Sequence, residues 1–177
     1  MNDIDEHKEI EISQHPWRRY FARMIDIAVV SDGLIIFWFV ITHNVRVSFF
    51  ENIFRGLLEM FILFIVEALL ITKLGTTLGK WILNIQLKSC TDAAINCKRA
   101  FRRSLGVYIS GVAIGLPIFS LLAELNAYDE LLDNGSTSWD DKVETKVGFQ
   151  EINFIRGIIA TILILSPLIV GTVFNFV

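Results

Sequence analysis

Residues 21–42 read FARMIDIAVVSDGLIIFWFVIT, 22 residues whose length, at a rise of about 1.5 Å each, matches a hydrocarbon core of about 30 Å. The stretch reads as a first transmembrane helix. Three further apolar runs follow, at 54–72 (FRGLLEMFILFIVEALLIT), 104–125 and 154–177. Buried helices of a soluble bundle rarely need near-continuous apolar runs of this length, so the expected fold is all-α, a polytopic membrane helix bundle of about four transmembrane helices. The third run carries Gly106, Gly111, Gly115 and Pro117, and is expected to be broken there. Gly111 and Gly115 also form a small-xxx-small pair suited to close helix packing in lipid.

Composition agrees with this outline. Of 177 residues 53% are apolar and only 20% charged, which excludes a disordered or collagen-like chain. The net charge of −3 argues against a uniformly basic nucleic-acid binder, so no nucleic-acid partner is expected. Cys90 and Cys97 lack the spacing of a zinc site or a redox pair and are expected to be reduced packing residues.

The charge is segregated. Residues 1–16 carry five acids against Lys8 and read as a disordered acidic tail, the opposite of a secretory signal. Arg18, Arg19 and Arg23 lie at the start of the first span. The 73–103 connection holds Lys73, Lys80, Lys88, Lys98, Arg99, Arg102 and Arg103 against Asp92 alone. Basic residues beside spans stay in the cytoplasm, so the N-terminus and the 73–103 segment are placed there and the 43–53 turn outside. The acidic 126–152 loop has two placements. It is external if the third run crosses fully, with a cytoplasmic C-terminus, and cytoplasmic if the Gly-Pro break makes a re-entrant hairpin.

Within the 73–103 connection Leu83, Ile85 and Leu87 alternate with polar residues, predicting a short extended piece at the membrane surface. Thr91 is a candidate cap for the helix after it, whose Lys98/Arg102 and Arg99/Arg103 pairs make a basic face for anionic headgroups.

Charged groups inside a bilayer cost of order 3 kcal/mol or more, and they face partners or a water-filled cavity. Arg23 and Asp26 share one face of the first span and are expected to neutralise each other; Asp32 lies two turns deeper. On the second span Glu59 and Glu67 return to nearly one face. Carboxylates with one arginine in a membrane interior suit a cation or proton site, and also suit interhelical salt bridges that only hold a bundle. Asp32 and Glu59 fit near-interface residues that reach water equally well.

The turn Gly75-Thr-Thr-Leu-Gly-Lys80 has three residues between its glycines, and Trp81 where a phosphate loop needs Ser or Thr, so it is not a nucleotide site. It predicts Gly75 in the left-handed conformation, Thr76 or Thr77 capping a short helix, and Lys80 at headgroup level. Gly75, Thr77, Gly79, Lys80, Arg102 and Arg103 are thus the candidate lipid-headgroup and turn residues. Trp139 is expected at the membrane boundary. No catalytic Ser/His/Asp, Cys/His or metal-ligand constellation is visible, so neither an enzyme, a metal site nor a cofactor is expected.

Trp17-Arg-Arg-Tyr-Phe-Ala-Arg-Met-Ile-Asp26, Glu67, Gly75-Thr-Thr-Leu-Gly-Lys80, Arg99-Ala-Phe-Arg-Arg103 and Thr137-Ser-Trp-Asp-Asp-Lys142 with Thr145 and Val147 occur in an order that resembles the RDD family of membrane proteins. The resemblance covers about residues 16–148 and leaves 154–177 as an additional C-terminal helix beyond an RDD-like membrane domain of 17–148. It puts the family arginine at Arg23, the first aspartate at Asp26 and the second at Asp141. Asp140 stands where many members have histidine, and Leu78 where proline is frequent. The resemblance implies a bacterial integral membrane protein for which transport is proposed, some members being linked to sodium/proton exchange. The leading expectation is therefore a multi-pass inner-membrane protein, a homo-oligomer, with a site for a small cation or proton at Arg23, Asp26, Asp32, Glu67 and Asp141. The alternative is a non-transporting accessory or assembly protein whose basic segment binds headgroups or a partner.

Overall fold

The computed structural model describes residues 15–42, 49–89, 96–111, 113 and 117–176. The acidic tail before His15, most of the first turn, Cys90, Thr91 and the glycine of the expected Gly115–Pro117 break lie outside them. The chain is mainly helical, as expected.

Helix α1 (Pro16–Thr42) starts on a proline whose missing N–H costs nothing at that position, and the His15 carbonyl accepts from the Arg18 and Arg19 amides. It returns as α2 (Phe49–Leu74). Gly75, at φ 69°, ends α2 in the left-handed region; Thr77 then caps the short α3 (Leu78–Ile82), its hydroxyl accepting from the Lys80 amide, and β1 (Ile85–Ser89) follows. After α4 (Cys97–Gly106) the chain runs directly into a π-helical turn, Val107–Gly111, and α5 (Pro117–Asn134) begins on the second proline. The third apolar run, 104–125, is thus shared among α4, this turn and α5. The short α6 (Ser138–Asp141), β2 (Thr145–Phe149) and the long α7 (Phe154–Phe176) complete the chain.

The two strands pair antiparallel, Ile85 with Phe149, Leu87 with Val147 and Ser89 with Thr145. Alternation in 83–88 had one strand in view; its partner, 56 to 64 residues further along the chain, is set only by tertiary structure. The pairing exposes an internal repeat. Gly75 and Gly135 both have positive φ, Thr77 and Thr137 both precede a short helix, and Asn84 and Glu144 both sit near φ 55° immediately before a strand. Each element of the second set lies sixty positions after its counterpart, and the Leu87–Val147 pair is the centre of the resulting pseudo-two-fold. Consequently both short helices and both strands occupy one end of the molecule, together with the start of α1. The 137–149 segment is on the same end as 75–89.

The core lies at that end, where Ala22, Ile25, Ile82, Leu83, Ile85, Val147, Phe149 and Ala160 pack together. Ala22, Ile25 and Ala28 recur every three residues on α1 as its buried face, and the small Ala22 lets a neighbouring element approach its backbone. Gly79 shows how closely: a Cβ there would lie 1.9 Å from the Ala22 carbonyl oxygen. Arg18 closes the same end, donating to the Leu83, Asn84 and Gln150 carbonyls at the ends of both strands. Arg156 of α7 donates to the Trp81 carbonyl and the Asn84 side chain, and lies over the Trp81 ring.

Away from this end the helices are apolar outward. Helices α1 and α7 are long and apolar enough to cross a membrane, yet only 11% and 6% of their most apolar stretches are buried in the protein. A soluble core helix would be mostly covered; these present Phe37, Val40, Ile162, Leu168 and Ile169 to their surroundings, as a lipid-facing surface does. Helix α2 has the length, 26 residues, but carries Glu51, Arg55, Glu59, Glu67 and Lys73.

Candidate functional site

The polar side chains of both repeats meet where α1, α2, α4 and the two short helices converge. Glu67, 6% exposed, is the hub of the first half. Its Oε1 accepts from Lys80 Nζ at 2.9 Å and from Arg103 Nη1 at 3.2 Å, and its Oε2 from Arg23 Nη2 at 3.4 Å. Asp140, 1% exposed, is the hub of the second. Its Oδ1 accepts from Arg103 Nε at 2.8 Å and from Thr145 Oγ1, and its Oδ2 from Arg19 Nη1 at 3.2 Å and Thr137 Oγ1 at 2.9 Å. Arg103 therefore bridges the two hubs with one rigid guanidinium, a task its planar fork suits and a lysine's single nitrogen does not. Lys80 and Asp140 occupy equivalent positions of the repeat with opposite charge.

Burial alone would push the Asp140 carboxyl up, but Arg103 and Arg19 beside it and the Thr137 hydroxyl outweigh that and hold it below the ordinary carboxylate value. For Lys80 burial wins: the amine is held below the ordinary lysine value in spite of Glu67.

Asp26 does not pair with Arg23, the partner three residues before it. Its Oδ2 accepts from Thr77 Oγ1 and its Oδ1 from the Gly79 amide, both at 2.7 Å, so it caps α3 from a neighbouring helix. This is a helix N-terminus neutralised by a carboxylate, with the dipole contributing in the same direction. The cap explains why α3 is pressed against α1 at Gly79.

The other expected site residues scatter. Asp32 lies deeper, where its Oδ2 meets Ser166 Oγ of α7 at 2.5 Å, and its buried Oδ1 has no partner among the described residues. Asp141 is exposed; the adjacent Asp140 takes the buried place, because α6 turns that position inward. Among the turn residues Thr77, Gly79 and Arg103 are buried and Lys80 is nearly so, all directed into the protein rather than to headgroups, whereas Arg102 is exposed. The exposed face of α4 carries Lys98, Phe101 and Arg102, and Cys97, expected to be a packing residue, is exposed there too. Trp139 is half-buried against Gly106 and Gly111. Glu59 accepts from Ser31.

Beside the network lies a cavity of about 340 Å³ between α1 and α5. Its charged wall is Arg19, Arg23, Lys80 and Arg103 with Asp26, Asp140 and, from α5, Glu124; Tyr20, Leu121 and Leu125 line its outer part. The Trp17 and Tyr128 rings, 6.2 Å apart, meet at its edge. Arg19, Glu124 and Asp140 escape a reading along the chain. The spacing of Arg19 and Arg23, and the Thr137–Asp140 spacing that mirrors Thr77–Lys80, were the signals available. Among the described residues no cluster of His, Cys, Asp and Glu suits a metal ion.

A family model described as the RDD family matches residues 14–176, past the 16–148 stretch whose motifs carry the resemblance and through the last helix. No curated protein and no solved structure matches the chain.

Proposed function

The chain belongs to the RDD family, and on that premise we propose that it is a bacterial inner-membrane protein that holds a charged ligand in the cavity between α1 and α5. The observation that carries this reading is the cavity wall. Arg19 and Arg23 come from α1, Lys80 from α3, Arg103 from α4 and Asp140 from α6, so the ion-pair network fixes four separate elements around a space that no one of them could enclose alone. Helices α1, α2 and α7 span the bilayer in this reading, with the basic end cytoplasmic. Helices α4 and α5 form a re-entrant hairpin, supported by the return of 137–149 to the end where α1 begins.

Native mass spectrometry of protein extracted in mild detergent tests it. One retained adduct is expected on the wild type and none on Leu125→Trp, which fills the cavity without altering a charge. The same spectrum for both proteins refutes the reading.

A second reading, passage of a proton or small cation, is favoured by Asp32. Its Oδ2, the Ser166 hydroxyl and the Leu163 carbonyl oxygen, 2.8 Å from that hydroxyl, form an all-oxygen setting inside the spans. Asp26 and Glu67 fit this role less well, since their oxygens are already engaged by fixed donors. Proteoliposomes loaded with a pH dye should then relax a proton or sodium gradient faster than empty vesicles, and Asp32→Asn should abolish the difference. Equal rates for wild type and empty vesicles end this reading.

A further inference from the structure

The donor and acceptor inventory around the cavity is unbalanced, and the imbalance specifies a ligand. Both oxygens of Glu67, of Asp140 and of Asp26 accept from groups already named, so these carboxylates have little left to offer. The arginines are in the opposite state. A guanidinium has five N–H donors. Among the described residues Arg19 donates through Nη1 to Asp140 alone, its Nε being buried without a partner, and Arg23 donates only through Nη2 at 3.4 Å to Glu67. Both side chains line the cavity. What is missing is an acceptor with several oxygens and a negative charge.

Two other features narrow it. Glu124 lines the same space and is electrostatically coupled to Arg23. A doubly charged free phosphate would sit against that carboxylate, whereas a phosphodiester with one charge and a terminal donor meets the arginines and Glu124 together. The outer wall is Tyr20, Leu121 and Leu125, each at least 40% exposed on the apolar surface of α1 and α5. A tail leaving past them would stay among lipid chains.

We infer that the cavity seats the headgroup of a phospholipid, its phosphodiester on Arg19 and Arg23, its terminal amine or hydroxyl on Glu124, and its acyl chains leaving between α1 and α5. This rests on the reading of the cavity as a ligand site and names the ligand's chemical class. It moves headgroup recognition from the outward basic face of α4 to an inward pair of arginines.

The test adds defined compounds to delipidated full-length protein and reads bound mass. Phosphatidylethanolamine should be retained at one per chain; diacylglycerol with the same chains should not. Arg23→Gln, whose single long ion pair makes it the milder arginine replacement, and Leu125→Trp should each weaken retention about tenfold or more, as expected for loss of a charge-assisted contact or of the tail slot. Arg102→Gln should leave it unchanged. Retention of diacylglycerol equal to that of phosphatidylethanolamine overturns the proposal, as does equal retention in wild type and Leu125→Trp. Displacement of the lipid by tail-free glycerophosphoethanolamine or inorganic phosphate at matched concentration assigns the site to a soluble phosphate and overturns the lipid. A native adduct of another class, with no phosphatidylethanolamine binding, overturns this inference while leaving the cavity a ligand site.

Discussion

Gly79→Ala should destabilise the protein by about 3 kcal/mol or more, because the added methyl meets backbone rather than a movable side chain. The new Cβ would lie 1.9 Å from the Ala22 carbonyl oxygen and 2.8 Å from its carbon. Relieving that contact moves α3 off α1 by well over an ångström, since packed interiors leave no slack. The Asp26 bonds to the Thr77 hydroxyl and the Gly79 amide, 2.7 Å each, would then stretch beyond hydrogen-bond range. Hydrogen bonds to a charged group contribute about 1.5–3 kcal/mol each, so losing two, with partial recovery by Asp26 rotating, gives the stated figure. For a chain of this size it corresponds to a fall in Tm of roughly 6–12 °C, read by far-UV circular dichroism in detergent. Gly33→Ala is the control: nothing lies within 4 Å of its Cβ, and alanine is the better helix former, so Tm should hold or rise. Asp26→Asn should cost less in the Gly79→Ala background than in the wild type, since its bonds are already broken there. A Gly79→Ala Tm within 2 °C of wild type, or strict additivity with Asp26→Asn, refutes the coupling of α3 to α1 through Asp26.

Arg103→Met should cost about 3–5 kcal/mol by stranding buried carboxylates, and Glu67→Gln with Asp140→Asn should be non-additive in a thermal double-mutant cycle; additive losses would mean that Arg103 does not bridge the halves. Asp140→Asn should destabilise by more than about 1 kcal/mol while the exposed Asp141→Asn stays within about 0.5 kcal/mol, and the reverse order of Tm values contradicts the placement of α6. Acid unfolding follows in sign. Arg103 and Arg19 hold the Asp140 carboxyl below its unfolded value of about 3.9, so its contribution is complete above that pH and is lost as pH falls toward the folded value. The advantage of the wild type over Asp140→Asn should thus be constant above about pH 4 and shrink progressively as pH falls below it, and an advantage that does not change with pH through the acid range, or that shrinks already well above pH 4, is inconsistent with an Asp140 held ionised by Arg103 and Arg19. Finally, Ser136→Cys should react with an impermeant maleimide from the same side of the membrane as the native, exposed Cys97; labelling from the opposite side removes the re-entrant hairpin.

The apolar runs, the Gly75–Thr77 turn and the basic character of one end were legible in the sequence, because helix length, left-handed glycine and threonine caps are set by residues within a few positions of each other. Arg23 and Glu67 were legible as buried charges, since a charge in an apolar run is conspicuous wherever it points. Their partners were not. Arg23 and Asp26 share a helix face and looked like a pair, but each is reached by a nearer group from another element: Glu67 for the one, the Thr77 hydroxyl and the Gly79 amide for the other. Asp140 and Asp141 are adjacent and chemically identical along the chain; the rotation of one short helix decides which is buried. Arg103 looked like part of an outward basic face, and lies inward because two carboxylates from different helices, Glu67 of α2 and Asp140 of α6, meet there.

By itself, then, the sequence determined that this chain is a helical membrane protein of the RDD kind with costly charges near one end, because hydrophobic length and charge asymmetry are one-dimensional quantities. Only the tertiary structure decided that the chain folds as two halves about Leu87 and Val147, that Asp140 rather than Asp141 is buried, and that arginines face a cavity with donors to spare. Those depend on which groups a fold brings within 3–4 Å. Elements sixty residues apart acquire that relation only when the two strands pair and the two short helices turn toward one another.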